Sequence, residues 1–183
     1  MKRRLYVAAV TVGLILISAG ANAKQGKAQP QAPSPVGNTP HEPAPGLTMT
    51  KATITARGAQ IMIDAITSFA TSKSAAVSVA IVDDGGNLLA FKRMDGASLG
   101  TIQAVLTKSV SALRLQASTE VLMQLAQHDV GLVLGFSSAG FTILGGGQPI
   151  RVGNAVVGGI AVSGGAGGDD DDYIKVGLDA FKP

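Results

Sequence analysis

The sequence predicts an α+β domain: a mainly antiparallel five-stranded sheet with helices packed on its faces, in the order α-β-β-α-α-β-β-β-α. Three observations carry this reading. An apolar helical period opens the domain, the strands turn back on glycine-rich hairpin signals instead of crossing over through helices, and an amphipathic segment closes the chain.

The first 23 residues read as a removable address. Lys2, Arg3 and Arg4 form a positive start, residues 5–17 an apolar run, and Ala21-Asn22-Ala23 a small-residue cleavage site. The apolar run is short for a membrane span. These features predict export to the periplasm or the medium, with no stable membrane insertion after cleavage. Residues 24–47 hold six of the eight prolines and show no apolar period, so they read as a disordered, partly polyproline II tether. His41 lies there and reads as solvated. The globular domain is expected over residues 48–183, one domain by length.

Residues 50–71 form the first helix, because Ile54, Ile61, Ala65 and Phe69 recur at helical spacing, with Met62 and Ile66 widening the stripe. Thr50 or Thr53 is the expected cap. Residues 76–82 come next as a strand with Val77, Val79 and Ile81 on one face. Asp83-Asp84-Gly85-Gly86-Asn87 is a turn signal, and residues 88–93 return as its partner. Two adjacent aspartates suggest a metal pair, but beside Gly-Gly they read better as side-chain-to-backbone turn bonds.

Ser98 or Thr101 is expected to start a second helix through Ile102, Val105, Ser109 and Ala112. Lys108 falls opposite or beside that stripe, which predicts a solvated or salt-bridged side chain. Ser118-Thr119-Glu120 caps a short third helix over residues 121–127. His128, the one histidine of the domain, stands at its end, as a dipole partner or as a ligand or proton-transfer group. Residues 130–136 are apolar with interrupting glycines and read as loop or short strand. Residues 141–143 read as a strand, residues 149–152 and 156–162 as two more, and residues 173–181 as the closing helix. The strand over 156–162 is apolar on both faces, which predicts cover on both sides. Gly158 and Gly159 within it admit close approach of another backbone or a flat ligand.

Composition removes several function classes. The chain carries 15 Lys and Arg against 12 Asp and Glu, but three of the basic residues lie in the leader, so the remainder is balanced at 12 against 12. With two Tyr, five Phe and no Trp, nothing favours a nucleic-acid partner. No cysteine is present, which excludes thiol catalysis, cysteine–zinc sites and disulfides, so stability rests on a hydrophobic core. Phosphate-binding loops, dinucleotide fingerprints, zinc-protease and nucleophile-elbow motifs are absent from the sequence. The acidic run over residues 169–172 lacks the spacing of a calcium loop.

Four blocks occur in order: Asp83-Asp84-Gly85-Gly86, Arg93-Met94-Asp95-Gly96-Ala97, Gly146-Gly147-Gln148-Pro149-Ile150 and Val157-Gly158-Gly159-Ile160-Ala161-Val162-Ser163-Gly164-Gly165. Together they resemble the GlcG/HbpS family of heme-binding (haem-degrading) proteins, related to the C-terminal domain of PduO-type adenosyltransferases. The resemblance covers about residues 48–183. Where that family has Lys-Ala-x-Thr-Ala, this chain has Lys108-Ser109-Val110-Ser111-Ala112, and Ala161 stands in place of the glycine of Gly-Val-Ser-Gly.

The resemblance implies an oligomeric α+β domain that binds heme or a related tetrapyrrole, associated in exported members with extracytoplasmic heme or redox sensing. Heme needs an apolar slot, cations for its propionates and usually an axial ligand. On chemistry, His128 and Met94 are the candidate iron ligands, Arg93, Lys108 and Arg151 the candidate propionate partners, and Gly158 and Gly159 candidate points of close approach. Two other readings stand beside heme binding. One is a small-metabolite enzyme using Lys108, Arg93 and Asp95; the other is an oligomeric interaction module that binds nothing. No compact nucleophile–base–orienting set supports the enzyme.

Overall fold

The computed structural model describes Gly46, residues 49–165 and residues 170–181. These belong to a unit spanning Pro43–Pro183; the second unit, Met1–Glu42, lies outside the described residues, as do the leader and most of the tether. Among the described residues five helices and four strands occur in the order α1 (Ala56–Ser72), β1 (Ser78–Asp83), β2 (Leu88–Arg93), α2 (Gly100–Leu115), α3 (Thr119–Ala126), α4 (Val130–Ser138), β3 (Gly147–Val152), β4 (Ala155–Ser163) and α5 (Asp170–Ala180). The class is α+β as expected, with four strands in place of five. No helix among the described residues is long and apolar enough to cross a membrane.

The sheet runs β2-β1-β4-β3 with every neighbour antiparallel. β1 and β4 sit at the centre, so their side chains alternate between two covered faces. Val79 and Ile81 of β1 join Ile160 and Val162 of β4 in a core with Met62, Ile63 and Ile66 of α1 and Ile174 of α5. The opposite face is built from small residues: Ala80 and Ala161 meet Val105 of α2. Their short side chains let α2 lie close, and Gly159 sets the limit. A β-carbon there would run into the carbonyl oxygen of Ser109 on α2. At Gly158 it would meet the Val82 carbonyl and Ile54. The two glycines thus admit close approach of the chain's own backbone and side chains.

Several boundaries differ from the sequence reading. α2 starts at Gly100 after Leu99, with no side-chain cap from Ser98 or Thr101. α3, β3 and α5 begin two or three residues early. Three further differences have a local reason. α1 begins at Ala56, because Thr55 takes the cap and accepts a hydrogen bond from the Gly58 amide at 3.2 Å. Residues 130–138 are helical, because the Asp129 carboxylate caps them through the Leu132 amide at 3.1 Å. Residues 141–143 are not a strand. The Thr142 amide donates to the Ser111 hydroxyl at 3.0 Å instead of to a strand partner, which removes the fifth strand. The first hairpin stands as read. Asp83 Oδ1 accepts from the amides of Gly85 and Asn87 at 2.9 and 2.8 Å, which is the turn role rather than a metal pair.

Candidate functional site

Lys108 occupies the most constrained polar position. It is 3 % exposed, on the face of α2 that meets the sheet. Its ammonium donates to the Val162 carbonyl and to Asp170 Oδ2, both at 2.9 Å. The other Asp170 oxygen accepts from the Gly165 amide at 2.9 Å. The glycine turn before β3 closes over this pair: a β-carbon on Gly146, whose φ is +91°, would lie 2.8 Å from the Lys108 nitrogen. Thr119 pins the same turn by accepting from the Gly147 amide at 2.9 Å. One ion pair therefore ties α2, β4, α5 and the two glycine turns together. The salt-bridged expectation for Lys108 holds; its expected place opposite or beside the buried stripe does not, because α2 seats on small residues and so buries a broader face.

The other candidates lie apart. Arg93 ends β2, at one edge of the sheet, and donates to the Ala97 carbonyl at 2.8 Å. Met94 is partly buried against the main core. Arg151 stands on β3, at the opposite edge, and donates to the Gln116 carbonyl at 2.8 Å. Asp95 borders a shallow recess with Arg93 but without Lys108. The anion clamp of the enzyme reading is thus not assembled in one chain. Among the described residues no three His, Asp or Glu side chains gather to hold a metal ion.

His128 is exposed in the turn between α3 and α4. The helix after this turn forms the site that sequence reasoning missed. α4, Val-Gly-Leu-Val-Leu-Gly-Phe-Ser-Ser, has no buried residue although it is apolar around most of its circumference. Val130 is 73 % exposed and Leu134 62 %. A helix that is apolar all round is ordinarily buried, and this one has no cover among the described residues. On one side Gly131, Leu132, Gly135, Phe136, Ala139 and Phe141 line a groove of about 300 Å3.

Packing among the described residues does not require glycine at Gly135, whereas Gly131 lies close to the helix cap. A β-carbon on Gly135 would meet nothing within 4 Å, and one on Gly131 only the cap Asp129. Glycine inside a helix costs about 1 kcal/mol against alanine. The surface beside Gly135 is therefore open among the described residues. The lining is apolar and includes Phe136 and Phe141, and His128 stands in the turn before α4, outside the lining.

Comparison with known proteins places the chain in a family. A family model described as "Haem degrading protein HbpS-like" matches residues 54–179. The crystal structure of Klebsiella pneumoniae protein ORFY is similar at 32 % identity and a TM-score of 0.69, covering 76 % of this chain and 97 % of that one. A double mutant of HbpS from Streptomyces reticuli is similar at 28 % identity and a TM-score of 0.70, covering 79 % and 97 %. A PduOC:heme complex shares the fold at 23 % identity and a TM-score of 0.65, covering 70 % and 95 %.

Proposed function

The chain belongs to the HbpS-like haem-degrading protein family, and from that premise we propose that it is an exported, non-enzymatic heme-binding protein serving extracytoplasmic heme capture or sensing. The uncovered apolar groove on α4 carries the proposal, with His128 as the axial ligand. Of the three requirements for heme, the groove itself meets one and the preceding turn offers a candidate for a second, His128, which is not among the lining residues. The groove supplies an apolar surface and the preceding turn an imidazole. The third, cations for the propionates, is not met at the groove by Arg93, Lys108 or Arg151, so in this reading the propionates face solvent or a second copy.

Export is part of the same proposal and rests on the signal features of residues 1–23. Self-association is its other part. Leu125, Val130, Leu134 and Leu144 are all strongly exposed beyond the groove, and a homo-oligomer would cover them.

The test is a hemin titration of the mature protein and its His128→Ala variant, followed in the Soret region. A saturable, stoichiometric shift in the wild type that is lost or moved in the variant is expected. A shift indifferent to the variant would remove His128 as ligand. No saturable shift would end the heme assignment.

A further inference from the structure

We propose a second ligand site: the recess at the turn end of the sheet binds a small organic monocarboxylate, with the Arg114 guanidinium as its clamp. Four separate segments build it: the approach to α1, the β1–β2 turn, the end of α2 and the β3–β4 turn. Together they enclose about 480 Å3. None of its residues belongs to the α4 groove, so this inference and the heme reading stand or fall separately.

Arg114 is the reason for an anion. Arg93 and Arg151 are engaged by carbonyls, whereas Arg114 makes no hydrogen bond or ion pair among the described residues. Its guanidinium lies against the β1–β2 turn. A β-carbon on Gly86, at φ +85°, would be 3.8 Å from both Nε and Nη2 of Arg114. The recess's one carboxylate, Asp84, is already paired with Lys51 at 3.4 Å. A positive charge without a side-chain partner among the described residues thus borders the recess. The carbonyl end of α2 contributes roughly half a negative charge nearby, which leaves room for a monoanion and disfavours a dianion. Leu113 and Val156 give the wall an apolar part, so the favoured ligand has an apolar body behind its carboxylate. A planar guanidinium pairs with such a group through two parallel hydrogen bonds.

Gln116 is the second, independent observation. It holds the left-handed conformation, φ 52° and ψ 29°, at the position after α2 where glycine is the usual occupant. Arg151 fixes it there by donating to its carbonyl. Its side-chain amide makes no hydrogen bond among the described residues, and neither does that of Asn154 across the recess. A side chain kept at a strained position on a ligand-sized recess points to use rather than to packing.

The experiment is amide-resolved NMR of the mature protein titrated with benzoate at constant ionic strength, with benzyl alcohol and inorganic phosphate as parallel probes. Saturable shifts at Gly85, Gly86 and Asn154 with benzoate alone are expected. Arg114→Met, exposed and of similar length, should keep the spectrum of the folded protein and weaken benzoate by about tenfold or more. Gln116→Gly should raise the melting temperature while weakening benzoate, a combination that a purely structural role does not produce. The proposal is overturned by the absence of saturation with benzoate, by equal shifts from benzyl alcohol, by tighter binding of phosphate, or by unchanged affinity in Arg114→Met.

Discussion

Lys108 and Asp170 show how one pair of side chains can hold an assembly of otherwise independent segments. The ammonium is nearly inaccessible and the carboxylate 16 % exposed, so each depends on the other for solvation. Removing one partner from such a pair typically costs about 3–5 kcal/mol, because the remaining charge is left buried. Lys108→Met, which keeps the length of the side chain, is expected to lower stability by about 3 kcal/mol in urea denaturation. Replacing Asp170 as well, as Asp170→Asn, should restore part of that loss. A Lys108→Met variant as stable as the wild type would show that the pair is dispensable. The sequence hid this role for a definite reason. Lys108 is adjacent to Ser109 and one turn before Ala112, positions whose burial comes from the small residues opposite them on β1 and β4. A helical period marks large apolar residues and cannot register a face that packs by being small.

At the scale of elements, the β1–β2 hairpin was legible because its turn chemistry is local: Asp83 bonds amides two and four residues ahead. Those bonds, led by the Asn87 backbone amide and then the Asn87 side chain, hold the Asp83 carboxyl below its ordinary value. A depressed carboxyl in the folded state contributes stability that is fully present above the unfolded value, near 3.9, and is lost as pH falls through the folded one. Asp83→Asn should therefore lose stability at neutral pH and show a shallower acid limb below about pH 4, measured as melting temperature against pH. An identical acid limb in the variant would deny the turn this role. α4 was illegible for the opposite reason. Its glycines four residues apart and its apolar circumference fit neither a strand alternation nor an amphipathic stripe, and only the Asp129 cap signals a helix. Residues 141–143 misled in a similar way, since β-branched composition suggests a strand but no partner edge reaches them.

For the whole molecule, the sheet and its two helical layers account for the core, while α3, α4 and the segment before β3 leave large apolar side chains outside it. Val121, Leu125, Val130, Leu134 and Leu144 are each at least 49 % exposed. Large exposed apolar side chains on these elements are the surface that the proposed homo-oligomer would cover. The proposed homo-oligomer should be visible by sedimentation velocity at micromolar concentration. A Leu125→Glu/Leu134→Glu variant should sediment as a smaller species with unchanged far-UV circular dichroism. Sedimentation of the wild type as a monomer would contradict the association. The order of hairpins, the covered central strand and the four family-like blocks were all readable along the chain. The groove was not, because it is defined by what α4 fails to touch.

The central claim is that heme occupies the space kept open by Gly135, and filling that space tests it most directly. Gly135→Leu adds a side chain where none of the described residues lies within 4 Å and replaces a poor helix former by a good one. The fold should be at least as stable as before. The account predicts that hemin titration of this variant loses the saturable Soret shift shown by the wild type; a Gly135→Leu protein that binds hemin as tightly as the wild type would contradict it.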